Sequence, residues 1–183
     1  MKSSRTLKLL PDLIYLLPIV GVEVEGIKHA LILLKKLRDE EKAEYYYTPF
    51  NLFEIIGKLS RLSYDPDRVA IGLTAIEEEF KLIQPNHQGY LKALALRARG
   101  YRDLIDLLLY ATSQTSNTIF LTRDYTLINF LRENHEDTSK ILDEKKNFWK
   151  DMPVLGKHQK CNNSSKPAIR NELSIITRIL IQA

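Results

Sequence analysis

The stretch from Asp103 to Asp124 leaves a folding chain the fewest options. Asp103 is placed to cap a helix, and Leu104, Ile105, Leu107, Leu108, Leu109 and Ala111 make that helix so apolar that most of it must be buried. Residues 118–122 then read as a β-branched and aromatic strand, and Asp124 stands just beyond its end.

The same alternation runs through the rest of the chain. Residues 6–10 form a short apolar run ending at Pro11-Asp12, as a buried parallel strand would. A loop carrying Pro18 and Gly21 leads to a helix with Ile27, Leu31, Leu34 and Leu37 on one face, and Lys35, Lys36 and Arg38 suit its C-terminal dipole. Thr48 followed by Pro49 starts another helix, through Ile55, Ile56, Leu59 and Leu62. Asp65-Pro66 starts the next, through Val69, Leu73, Ile76 and Phe80, and residues 81–83 are strand-like before Gln84-Pro85. A helix over residues 90–99 closes at Gly100, one over 125–133 follows Asp124, and residues 140–142 make a final edge strand before a charged stretch ending at Trp149. Strands alternating with helices imply an α/β fold with a mainly parallel central sheet, because parallel neighbours need crossover connections.

At 183 residues the chain suits one domain, placed at residues 1–156, with an appended tail at 157–183. The tail is polar as far as Pro167, then carries Ile169, Leu173, Ile176 and Leu180 at amphipathic-helix spacing. It also holds the whole charge excess. Lys157, Lys160, Lys166, Arg170 and Arg178 stand against Glu172, and removing them from 27 basic and 23 acidic residues leaves 22 of each. With the domain neutral, bulk charge names no partner, and any case for nucleic acid must come from a site. The single cysteine, Cys161, excludes an internal disulfide and agrees with a cytoplasmic protein. Residues 9–22 are apolar, but Pro11, Asp12 and Pro18 interrupt them, so no membrane span is expected.

In open parallel sheets ligands bind beyond the carboxyl ends of strands, which puts Asp12 and Asp124 in one crevice. Glu54 and Asp106, near the starts of helices, can open onto the same edge. Grouped carboxylates repel unless a cation lies among them, and hard oxygen donors suit Mg²⁺ or Mn²⁺ better than zinc. Each acid also has a purely structural use. Asp103 and Asp106 have the offset of an N-cap and an N3 acid, Glu54 precedes Lys58 by one helical turn, and Asp124 fits a turn or cap. Asp12 is the hardest to explain so, since an aspartate among so many apolar residues must be paired, hydrated or coordinated. Asp103, Glu23 and Glu25 are reserve ligands. His29, His87, His135 and His158 show no ligand spacing.

Three stretches resemble the PIN-domain family in order. "LLPDLIYLLPIVGVEV" looks like the family's opening strand and its acid, Asp12; "TPFNLFEIIGKLSR" is similar to its glutamate-bearing helix, with Glu54; "RDLIDLLLYATSQTSNTIFLTRD" resembles its acid, apolar helix, strand and acid, with Asp106 and Asp124. The resemblance covers about residues 5–150. Leu13 departs from it, since PIN domains commonly place Thr or Ser directly after the first aspartate, and Pro11 is also unusual there.

The resemblance implies a three-layer α/β/α PIN-like fold and a metal-dependent endoribonuclease, with Asp12, Glu54, Asp106 and Asp124 as catalytic residues and ligands for Mg²⁺ or Mn²⁺. As in VapC-type toxins and RNA-processing nucleases, it implies an RNA substrate, and nothing in the residues separates these two; the toxin form would bring an antitoxin partner and a homodimer. The basic residues nearest these acids, Arg97, Arg99, Arg102, Lys58, Arg61 and Arg123, are the candidates for holding RNA phosphates, though each serves equally as a solvated helix end. Tyr45, Tyr46 and Tyr47 suit either base stacking or a core strand. The competing classes are a non-catalytic PIN-like scaffold that binds RNA or protein, which Leu13 favours, and a phosphoacceptor domain, which lacks its expected lysine.

Overall fold

The computed structural model describes residues 6–143, and the expectations for the tail at 157–183 and for the stretch ending at Trp149 lie outside them. The chain runs β1 (Leu7–Pro11), α1 (Leu13–Leu16), a 3-10 turn (Leu17–Val20), α2 (Lys28–Asp39), β2 (Ala43–Tyr47), α3 (Pro49–Leu59) and α4 (Pro66–Glu79). It continues through β3 (Lys81–Leu82), α5 (His87–Ala98), α6 (Leu104–Ser116), β4 (Ile119–Thr122), α7 (Tyr125–Glu133) and β5 (Ile141–Asp143). The strands form one all-parallel sheet in the order β3-β2-β1-β4-β5.

Successive strand residues face opposite sides, so each strand contributes to two cores. Leu10, Tyr46 and Phe120 face α5, α6 and α7, burying Ala93, Leu96, Leu107, Leu109, Tyr110, Leu127 and Leu131. Leu9, Tyr45 and Leu121 face the other way, against Tyr15 of α1 and Ala30, Leu33, Leu34 and Leu37 of α2. Tyr47 joins Leu16, Ile19 and Val20 with the inner faces of α3 and α4. The result is the three-layer α/β/α architecture expected from the sequence. The three consecutive tyrosines form a core strand; Tyr45 donates its hydroxyl to Leu34 O at 2.7 Å and Tyr46 to Glu44 at 2.8 Å.

One expectation is corrected. Residues 13–20, read as loop, are helical throughout. Asp12 caps the first turn by accepting from Leu13 N, and Pro18, with its fixed φ, is the second residue of the 3-10 turn. Gly21 ends that turn at φ +89, a left-handed conformation that glycine adopts without strain. The turn is held against α4 at Gly72, where a β-carbon would come within 2.4 Å of Ile19 O and 2.7 Å of Val20 Cα. Alternation of polar and apolar residues is weak here because Leu16, Leu17, Pro18, Ile19 and Val20 are all buried.

This order places a topological switch at the centre of the sheet. From β1 the chain moves outward to β2 and β3, then returns to β4 on the other side, so its connections part beyond the carboxyl ends of β1 and β4. Asp12 follows the first of these ends and Asp124 lies two residues past the second.

Candidate active site

Four elements bring acids to this edge, each by a different local device. Asp12 leaves β1 still in ladder register, its amide donating to Leu121 O at 2.9 Å. Its side chain is buried and doubly held: Oδ1 accepts from Leu13 N at 2.6 Å, and Oδ2 from the Thr122 hydroxyl at 2.7 Å. Burial pushes its pKa up despite these bonds.

Glu54 is placed by the start of α3. Thr48 is the N-cap expected from the sequence, and Asn51 completes a reciprocal cap by accepting from Thr48 N at 2.8 Å. Fully buried Asn51 also donates from Nδ2 to Pro11 O at 3.2 Å. That bond ties α3 to the end of β1, so the helix carrying Glu54 is registered against the strand carrying Asp12. Among the described residues Glu54 makes no ion pair with Lys58, which is exposed; instead Glu54 Oε2 is buried with no hydrogen-bond partner.

Asp106 and Asp103 stand on the first turn of α6. Asp103 is the N-cap, its Oδ1 accepting from Ile105 N at 2.9 Å and Asp106 N at 3.4 Å. Asp106 is thus left free of capping, and its Oδ2 meets the Tyr101 hydroxyl at 3.0 Å. Asp124 caps α7 through Oδ1, which accepts from Thr126 N at 2.8 Å and Leu127 N at 3.1 Å. Its Oδ2 meets the same Tyr101 hydroxyl at 2.8 Å.

Glu54, Asp103 and Asp106 each offer an oxygen within 4.8 Å of the others. Burial, then the charges of Asp12, Asp106 and Asp103, pushes Glu54 up to about 8. Burial, then Asp12 and Asp103, pushes Asp106 up to about 7. Among the described residues, no cation counts among the causes that set either pKa. The structure therefore gathers Glu54 and Asp106 most tightly, joins Asp124 to Asp106 through a tyrosine, and holds Asp12 close enough to act on Glu54 and Asp106 through its charge. Asp103, a reserve in the sequence, stands in the tightest group, whereas Glu23 and Glu25 do not.

A divalent cation fits this arrangement. A buried carboxylate oxygen without a partner beside two further carboxylates is an unbalanced charge, and the donors are all hard oxygens. His29, His87 and His135 are exposed and, among the described residues, join no such group.

The basic candidates part company. Arg102 lines an open cleft with Tyr101, Asp103, Asp106, Asp124, Tyr125 and Asn129. Arg123 reaches Glu25 O at 3.5 Å, near Gly26. Lys58 and Arg61 are exposed at the end of α3 and just after it. Arg97 donates to Tyr101 O at 2.7 Å, and Arg99 pairs with Glu136 at 3.2 Å. Sequence reasoning missed Tyr101, a lone aromatic in a loop after Gly100, and Thr122, one of several strand hydroxyls. Nothing in their spacing sets them apart.

The PIN domain family model matches residues 18–143, beginning after Asp12. No curated protein matches the chain. Among solved structures, that of VapBC2 from Rickettsia felis bound to a DNA fragment from their promoter is similar in fold. Its TM-score is 0.52 at 15% identity, and the match covers 75% of this chain and 98% of that one.

Proposed function

The chain belongs to the PIN-domain family, and from that premise we propose that it is a metal-dependent endoribonuclease whose cation is held by Asp12, Glu54, Asp106 and Asp124. PIN domains are generally nucleases. The observation that carries the reading is the buried, unpartnered Glu54 Oε2 within a group of carboxylates that burial and mutual repulsion leave unbalanced. Mg²⁺ or Mn²⁺, when bound, supplies an acidified water and neutralises charge developing on a phosphodiester. The chain's own residues do the rest. Asp12 is fixed in direction by Leu13 N and Thr122. Asp124, with one oxygen committed to α7, presents the other to the Tyr101 hydroxyl that also meets Asp106. Arg102, at the cleft, is the residue best placed to meet an RNA phosphate.

Likeness to a toxin-antitoxin pair supports an antitoxin partner as part of this reading, and a homodimer follows only from the toxin form of the family. Among the described residues no helix is long and apolar enough to cross a membrane.

A second reading, a non-catalytic scaffold, draws on Asp12, both of whose oxygens already have hydrogen-bond donors. Labelled single-stranded and structured RNA incubated in Mg²⁺, Mn²⁺ or EDTA, beside Asp124→Asn, separates the two. Asparagine caps helices as well as aspartate does, so the variant keeps α7 while losing a charge. Cleavage that requires both metal and Asp124 supports the nuclease; metal binding without cleavage by the unaltered protein supports the scaffold.

A further inference from the structure

The loop between α5 and α6 is built around one side chain. Gly100, at φ +113, turns the chain sharply after α5. Arg97, one turn back on that helix, reaches forward to grip the Tyr101 carbonyl at 2.7 Å. The Tyr101 ring is 8% exposed and packs against Phe130 at 5.0 Å between centroids. Its hydroxyl ends between Asp106 Oδ2 and Asp124 Oδ2, at 3.0 and 2.8 Å. A ring needed only for packing would be phenylalanine. Here a phenol oxygen is buried between two carboxylates that have no other side chain to set their direction, and a hydroxyl has one proton to share between them.

Resting on the metal-site reading above, we propose that Tyr101 is a positioning residue for the cation-holding carboxylates, fixing the directions of Asp106 and Asp124, and that Arg97 acts through Tyr101 rather than on RNA. Asp124 has its Oδ1 committed to the cap of α7, so rotation about its remaining torsions is governed by what Oδ2 meets. Among the described residues Asp106 accepts from no backbone amide, so the phenol bonded to its Oδ2 is the group placed to hold its side chain. Removing the hydroxyl leaves both acids present but unaligned, and alignment of ligands by the groups around them sets metal affinity as much as ligand identity does.

The test is Mn²⁺ binding by calorimetry to the full chain, comparing the unaltered protein with Tyr101→Phe and Arg97→Ala, alongside the tyrosine absorbance change on adding Mg²⁺. Phenylalanine keeps the contact with Phe130, and cooperative unfolding in EDTA checks that the fold is retained. The expected result is Mn²⁺ affinity lowered about 10- to 100-fold in Tyr101→Phe and a few-fold in Arg97→Ala. The absorbance change seen in the unaltered protein should vanish in Tyr101→Phe. Affinity within twofold of the unaltered protein in Tyr101→Phe overturns the role of Tyr101, and unchanged affinity in Arg97→Ala returns that arginine to the surface. Absence of Mn²⁺ binding by the unaltered protein overturns the metal site itself and this inference with it.

Discussion

Glu54→Gln should stabilise the metal-free protein while destroying its cation site. The Glu54 carboxyl, ordinarily near 4.5, stands at about 8 in the fold, mainly because it is buried and then because Asp12, Asp106 and Asp103 surround it. The folded protein therefore holds this proton more tightly than the unfolded chain does. Between about 4.5 and 8 the folded state binds the extra proton, so its contribution to stability is full below 4.5 and declines as pH rises to about 8. At about 1.4 kcal/mol per pH unit the whole interval gives an upper bound near 5 kcal/mol. The side chain is only partly buried, and solvent screening brings the figure to about 2 kcal/mol. For a chain of this size that is a rise in Tm of about 6 °C. Glutamine has nearly the same shape, carries no charge and can donate to Asp103 or Asp106. Thermal unfolding in EDTA should show Glu54→Gln above the unaltered protein at pH 8, with the gap closing towards pH 5. Saturating Mg²⁺ should reverse the ranking, since a cation that binds only the folded state adds about 2.7 kcal/mol at a hundred times its Kd. A variant less stable than the parent at pH 8 in EDTA, or a gap that ignores pH, would refute the argument from trapped charge.

Gly72→Ala should cost about 1–3 kcal/mol, because the new methyl meets the backbone of Ile19 and Val20 rather than a side chain able to move; chemical denaturation measures it, and a neutral result would contradict the close approach of α4 to the 3-10 turn. Asn51→Ala should cost a similar amount and also weaken Mn²⁺ binding, since one side chain both caps α3 and ties it to Pro11; a loss of stability with unchanged binding would separate the two roles. Arg102→Ala should weaken RNA binding and lower the slope of log affinity against log salt by about one, leaving Mn²⁺ affinity intact, whereas an unchanged slope would remove Arg102 from the RNA path.

The legible parts of this fold are those where one residue type does one local job. Thr48-Pro49, Asp65-Pro66 and Asp103 start helices where their chemistry says they should. Apolar runs ending in an acid mark β1 and the region just past β4. The resemblance then orders four acids that position alone leaves ambiguous: Asp103 and Asp124 are helix caps as well as members of the acidic edge, so both uses are true of the same side chains. What was not legible depends on contacts across long stretches of chain. Tyr101 matters because α6 and α7 present acids to the same point, and Thr122 because β4 lies beside β1. The eight residues after Asp12 resisted reading for another reason: a short helix buried nearly all round has no polar face to reveal its period.

The central position of β1 has a consequence for how the protein comes into being. This strand has its two neighbours supplied at very different times, β2 within about 40 residues and β4 only after more than a hundred. Thr122, which locks Asp12, arrives 110 residues after it. A growing chain emerging from the ribosome therefore carries Asp12 on a half-paired strand with an open hydrogen-bonding edge until four more helices and β3 have passed. Closure of the sheet and completion of the acidic edge are then one event, so a chain cut short before β4 has neither a finished core nor a nuclease centre, and the hydrolytic capacity proposed for it is withheld until nearly the whole domain has been translated.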